Sequence, residues 1–158
     1  MDISDKGLRF ITNVEGNVLT MYKDIAGHPT IGCGHLLTTD EKVSGYLHIG
    51  HDLVPWKDGG ITPEESLALL HQDCQVAVSA VNKGVKVELT QDQFDCLTSF
   101  CFNVGGGAFA DSTVLNRINT GDMDGVPDAL RMWTRAGDNK TALSGRREKE
   151  IQLWKGEI

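Results

Sequence analysis

At 158 residues and 17.2 kDa the chain is long enough for one domain or two small lobes, and it can bury a core without disulfides or a metal. With 40% apolar and 23% charged residues it reads as neither disordered nor fibrous, and no apolar run reaches the ~18 residues of a membrane span. A net charge of −7 argues against a nucleic-acid partner.

The start, Met1-Asp2-Ile3-Ser4-Asp5, has acids where a signal peptide needs bases, so the chain is expected to accumulate in the cytoplasm. A first helix runs from about Ser4, a plausible N-cap, to Val14. Leu8, Ile11 and Glu15 share one of its faces. A carboxylate that continues an apolar stripe is expected at the edge of a core, facing inward. Val18–Asp24, a turn through Ile25-Ala26-Gly27, and His28–His35 read as a β-hairpin. Residues 36–60 are polar and Gly-rich, with Trp56 as the large apolar anchor, and are expected to hold loops and short elements.

Thr62-Pro63-Glu64-Glu65 is a helix start with a capping box and Pro at N1. The stripe Leu67, Leu70, Cys74, Ala77, Val78 and Val81 extends that helix as one piece to about residue 83, and Gly84 ends it. Thr90-Gln91-Asp92-Gln93 repeats the cap before Phe94, Leu97, Cys101 and Val104, and Gly105-Gly106-Gly107 stops the helix. Asp111 or Ser112 caps the next one. Val126, Leu130 and Trp133 predict another, ending at Gly137. Leu143, Arg146, Arg147, Ile151 and Trp154 mark the last. The fold class is α+β, a small β-containing N-terminal lobe and a helical C-terminal lobe. The single domain 1–158 divides into a β-containing lobe over about 15–60, a connecting helix over 62–83, and a helical lobe of 84–158 plus 1–14.

Cys33, Cys74, Cys96 and Cys101 form no CxxC pair, and His28, His35, His48 and His51 make no regular ligand set. No metal or other cofactor is expected, and the cysteines read as reduced thiols packed as small apolar groups. Residues 131–155 invert the charge balance, with seven bases and three acids. This segment is either a solvated helix face or a patch for a polyanionic substrate.

Glu15, at the end of a helix and on its apolar face, is placed where desolvation and the helix dipole both disfavour the ionised form, as a general acid requires. Asp24 at a hairpin turn meets water and is expected to stay ionised. Thr30 can face it across the hairpin and help hold a water. Carboxyls in such contrasting environments suggest acid and base roles. Spacing alone leaves open an ordinary helix-end glutamate and an ordinary turn aspartate.

Glu15-x8-Asp24-x5-Thr30, set in Tyr22-Lys23-Asp24-x-x-Gly27-x-x-Thr30-Ile31-Gly32-x-Gly34-His35, resembles the phage-type lysozyme family, the muramidase endolysins of tailed bacteriophages. Phe102-Asn103-Val104-Gly105-Gly106-Gly107 with Ser112-Thr113-Val114-Leu115, and Gly145-Arg146-Arg147-x-x-Glu150-x-x-Leu153-Trp154, extend the resemblance over almost the whole chain. It implies a lysozyme-like fold and cleavage, with inversion, of the β-1,4 bond between N-acetylmuramic acid and N-acetylglucosamine in peptidoglycan. Glu15 is then the acid, Asp24 positions or activates the water and Thr30 assists, with the carboxyls roughly 6.5–9.5 Å apart. Leu36, Phe102 and Ser112 are implied to contact sugar, and His35 to hold the hairpin.

The implied partners are peptidoglycan glycan strands, with no nucleic acid and no stable membrane insertion. A holin is expected to release the enzyme from the host cytoplasm to the periplasm, and the family suggests a monomer. Cys33 departs from the β-branched apolar residue common between the two glycines. A lytic transglycosylase, a non-catalytic peptidoglycan-binding module and a metal-dependent amidase are the competing readings. The Asp24–Thr30 pair argues against the first, retention of both carboxyls against the second, and the lack of a ligand set against the third.

Overall fold

The computed structural model describes residues 1–158. In chain order its elements are α1 (Asp5–Glu15), β1 (Val18–Lys23), β2 (Pro29–Gly32), β3 (His35–Leu36), α2 (Thr39–Ser44), β4 (Tyr46–Ile49) and β5 (Asp52–Pro55). Then follow α3 (Pro63–Asp73), α4 (Gln75–Gly84), α5 (Gln91–Val104), α6 (Gly106–Ala110), α7 (Thr113–Asn119), α8 (Val126–Leu130) and α9 (Ser144–Trp154). This is the expected α+β architecture. The chain forms two compact units. A hairpin unit spans Leu8–Gln75, and a helical unit combines Met1–Gly7 with Val76–Ile158.

In the hairpin unit β1, β2 and β3 make an antiparallel sheet in that order, and β4 and β5 form a separate hairpin. Ile31, Leu37, Leu47, Val54, Trp56, Ile61 and Leu69 bury their side chains together, flanked by Leu19 and Ile49. Residues 36–60 are therefore more regular than expected. The Tyr46–Pro55 pairing buries Leu47 and Val54 on one face, which is the period-two pattern of a half-buried hairpin. Trp56 is the anchor the sequence suggests, and its indole N–H donates to the Glu41 carbonyl at 2.9 Å.

The capping box at Thr62 forms as expected, with Glu65 N–H on Thr62 Oγ1 at 3.1 Å and Thr62 N–H on Glu65 Oε1 at 2.8 Å. The single helix expected over 62–83 is two helices. Cys74, whose side chain is fully buried, stands between them at φ −71°, ψ −15°.

In the helical unit α5 is buried all round from Phe94 to Cys101, the mark of a central helix. Phe100 meets the Phe109 and Trp133 rings edge-on, at 6.2 and 5.6 Å. Gly105, at φ 93°, stops α5 as expected, but the chain re-enters a helix at once as α6. Of the two proposed caps, Ser112 is the one used. The helix expected from Val126 to Gly137 ends at Leu130. There the chain tightens to Met132 N–H on Ala129 O and Trp133 N–H on Leu130 O, and the Arg147 guanidinium takes the Trp133 carbonyl at 2.9 Å. No helix is long and apolar enough to cross a membrane.

Candidate active site

Three short elements of the hairpin unit carry the residues that the sequence singles out. α1 ends at Glu15 because Gly16 adopts φ 82°, and its N–H closes on Thr12 O at 2.9 Å. Glu15 is half-buried. The sharp turn after β2 places Gly34, at φ 79°, beside it, so that a Cβ there would sit 3.9 Å from Glu15 Oε2. Glycine supplies the left-handed backbone at this approach.

The loop between β1 and β2 is held by Asp24. Asp24 N–H donates to His28 O at 3.0 Å, Gly27 N–H to Asp24 O at 2.9 Å, and His28 N–H to Asp24 Oδ1 at 2.8 Å. Thr30, buried, donates its hydroxyl proton to the same His28 carbonyl at 2.9 Å. One residue's peptide groups thus tie the Asp24 carboxylate to the Thr30 hydroxyl. Because the Thr30 proton is engaged, its oxygen is left as an acceptor. Thr30 pairs with Tyr22 on one side and with Leu36 on the other, so the three form a row across the sheet. Leu36 is 53% exposed.

Phe102 and Ser112 belong to the helical unit. Phe102 is half-buried on α5. Ser112 is buried, donates to Phe109 O at 2.7 Å and accepts Leu115 N–H at 3.1 Å, so its hydroxyl is already engaged as a helix cap.

His35 is a structural residue, as expected, but with more partners than the sequence suggests. Nδ1 lies 2.8 Å from Asp73 Oδ2 on α3, and Nε2 lies 3.0 Å from Glu41 Oε1 on α2. Burial alone lowers the imidazole pKa. The hydrogen bonds and charges of Asp73 and Glu41 outweigh it and raise the value from 6.5 to about 9. Burial likewise opposes ionisation of Glu41, but the Thr38 N–H and His35 prevail and hold its pKa below the ordinary value. The Thr38-x-x-Glu41 capping box was a legible signal for Glu41. Nothing in the sequence pairs Asp73 with His35.

Cys33 is buried, 3.6 Å from Thr12 Oγ1, and burial is the main cause that pushes its thiol pKa up. It is a thiol at neutral pH, not a thiolate nucleophile. All four cysteines are free. Three of the seven bases of the basic segment pair with the protein's own carboxylates. Arg131 pairs with Asp128 and Glu148, and Arg146 and Arg147 both pair with the buried Glu150.

A family model described as phage lysozyme matches residues 12–150. The chain belongs to that family. It is similar to the endolysin of Salmonella phage P22, 36% identical over 154 residues and covering 98% of each chain. Among solved structures, a P22 lysozyme mutant aligns at TM-score 0.82 with 36% identity, again over 98% of each chain. The muramidase domain of SpmX from Asticaccaulis excentricus aligns at TM-score 0.78 with 34% identity over 97% of each. This phage lysozyme is accordingly a glycoside hydrolase with a lysozyme-like α+β fold.

Proposed function

We propose that this lysozyme is an endolysin that hydrolyses the β-1,4 bond between N-acetylmuramic acid and N-acetylglucosamine in bacterial peptidoglycan, with inversion, during host lysis. The observation that carries this reading is the His28 peptide bridging the Asp24 carboxylate and the Thr30 hydroxyl, in the hairpin that follows Glu15. Glu15 transfers its proton to the glycosidic oxygen as the bond to the anomeric carbon breaks. A water held between Asp24 and the Thr30 oxygen attacks that carbon from the opposite face, and Asp24 takes the water's proton. Leu36 and Phe102 are proposed sugar contacts. Ser112 contributes at most one remaining lone pair, since its proton and another lone pair serve the cap. The enzyme is proposed to act as a monomer, on glycan strands reached from the cytoplasm through a holin.

The test is turbidity loss of permeabilised Gram-negative walls by the wild type and Glu15→Gln, followed by analysis of the soluble products. The wild type is expected to release reducing-end muropeptides, and Glu15→Gln to fall by about 10³-fold. Equal activity of the two proteins removes Glu15 from the acid role. Anhydro-sugar products would transfer the assignment to a lytic transglycosylase, a reaction for which a water-holding Asp24–Thr30 pair has no use.

A further inference from the structure

The proposed site is rich in acceptors and short of donors. Asp24 is an acceptor, the Thr30 proton goes to His28 O, and the Glu15 proton is assigned to the glycosidic oxygen. A sugar unit presents hydroxyl, ring and acetamido oxygens that accept hydrogen bonds, and none of these three residues has a donor left for them. Tyr22 does. It lies two residues before Asp24, directly across from Thr30 in the sheet, in the row that continues to Leu36.

Resting on the function proposed above, we propose that Tyr22 is a further substrate-contacting residue, its phenol donating a hydrogen bond to the sugar unit whose anomeric carbon is attacked. The side chain is half-buried, so the ring is held while its edge stays within reach of solvent. No group of the protein is hydrogen-bonded to its hydroxyl. Burial first, then Cys33, which becomes a thiolate only at high pH, and the charges of Glu15 and Asp24 push its pKa above 10.0, so the phenol keeps its proton at every pH at which the carboxyls do their work. Tyrosine is suited to this part because it donates without adding a charge beside two carboxyls.

The decisive variant is Tyr22→Phe, which keeps the ring and removes only the hydroxyl. It is assayed beside the wild type and Glu15→Gln on soluble glycan strands stripped of peptide, well below every melting temperature. Glu15→Gln and Glu15→Gln/Tyr22→Phe are also titrated with the same strands to read binding without turnover. We expect Tyr22→Phe to lose about tenfold in kcat/KM while its melting temperature stays within about 1 °C of wild type. A loss in KM together with weaker binding in the double variant assigns the contact to the bound sugar. A loss in kcat alone assigns it to the transition state, and both results support the proposal. Unchanged kcat and KM overturn it, as does a loss that vanishes once the assay is moved further below the melting temperature. An inactive wild type, or a fully active Glu15→Gln, instead overturns the function on which the proposal rests, so the two failures are distinguishable.

Discussion

In the hairpin unit the central charged cluster is built round a group that titrates, whereas in the helical unit it is built round one that does not. His35 joins β3 to α2 through Glu41 and to α3 through Asp73, with 14% of its side chain exposed. Arg147 has no exposed side-chain surface, and its Nη1 lies 2.6 Å from the equally buried Glu150 Oε1. Glu150 Oε2 also accepts from Ser99 Oγ at 2.7 Å and from Arg146 Nε at 3.2 Å. Asn103 bonds the Arg147 guanidinium, which also lies 5.0 Å over the Phe100 ring. A guanidinium cannot lose its proton in the working pH range, so the cation at the centre of this cluster stays charged. The imidazole can, so the cohesion of the unit that carries the proposed acid and water-holding pair depends on pH through His35.

The sharpest way to break this contrast is Glu150→Gln. It leaves Arg147 buried without its counter-charge, and we expect a loss of about 3 kcal/mol in urea unfolding at neutral pH. A loss below about 1 kcal/mol would mean that Asn103, Trp133 O and the Phe100 ring suffice to hold the cation.

Next in size is His35→Asn. The folded pKa of about 9 exceeds the unfolded 6.5, so the stabilisation from His35 is fully present below 6.5 and is lost as pH rises through 9. Glu41, with its lowered pKa, contributes above its ordinary value of 4.5 and loses that contribution as pH falls through the folded value. The stability difference between wild type and His35→Asn should therefore be greatest at about pH 5–6.5 and shrink by pH 10, with a maximum of about 2 kcal/mol after discounting for partial exposure. A difference that does not vary with pH sinks the assignment.

Thr38→Ala comes third. It removes the hydroxyl that caps α2, where Glu41 N–H bonds Thr38 Oγ1 at 3.1 Å. Thermal unfolding should show a loss of about 1 kcal/mol. Because the Thr38 backbone N–H also bonds Glu41 Oε1, at 2.9 Å, the change should be non-additive with His35→Asn. Additive losses would show that cap and clamp act separately. The smallest effect is expected from Arg131→Ala, whose partners Asp128 and Glu148 are both largely exposed. Its melting temperature should match wild type, since solvent screens such pairs.

Much of this architecture is legible in the residues because the signals are local. The capping boxes at Thr62 and Thr90 and the glycine at 105 act within one turn of chain, and each stands where the sequence places it. The hairpin itself is legible, but the sequence sets Thr30 opposite Asp24 and leaves Leu36 among loops and short elements, whereas the register pairs Thr30 with Tyr22 and Leu36. The Thr38 capping box makes Glu41 legible as a helix-start residue, but its contact with His35 is not a local feature and leaves no mark in the sequence.

Other features depend on partners distant in sequence. The sequence by itself determined the element types, the ends marked by glycine and capping residues, the α+β class, and the motif that places Glu15, Asp24 and Thr30 in one short stretch. Tertiary structure decided where helices break. Cys74 lies in a stripe that reads as continuous yet falls between α3 and α4, and the helix begun at Val126 ends at Leu130, short of the Trp133 carbonyl that accepts from Arg147, 14 residues on. Tertiary structure also chose the partner of His35 on α3, 38 residues away, and engaged three of the basic segment's seven bases with the protein's own carboxylates. Periodicity and capping record what neighbours in the chain do to one another. Ion pairs, buried thiols and the end of an amphipathic stripe are set by side chains that only folding brings together.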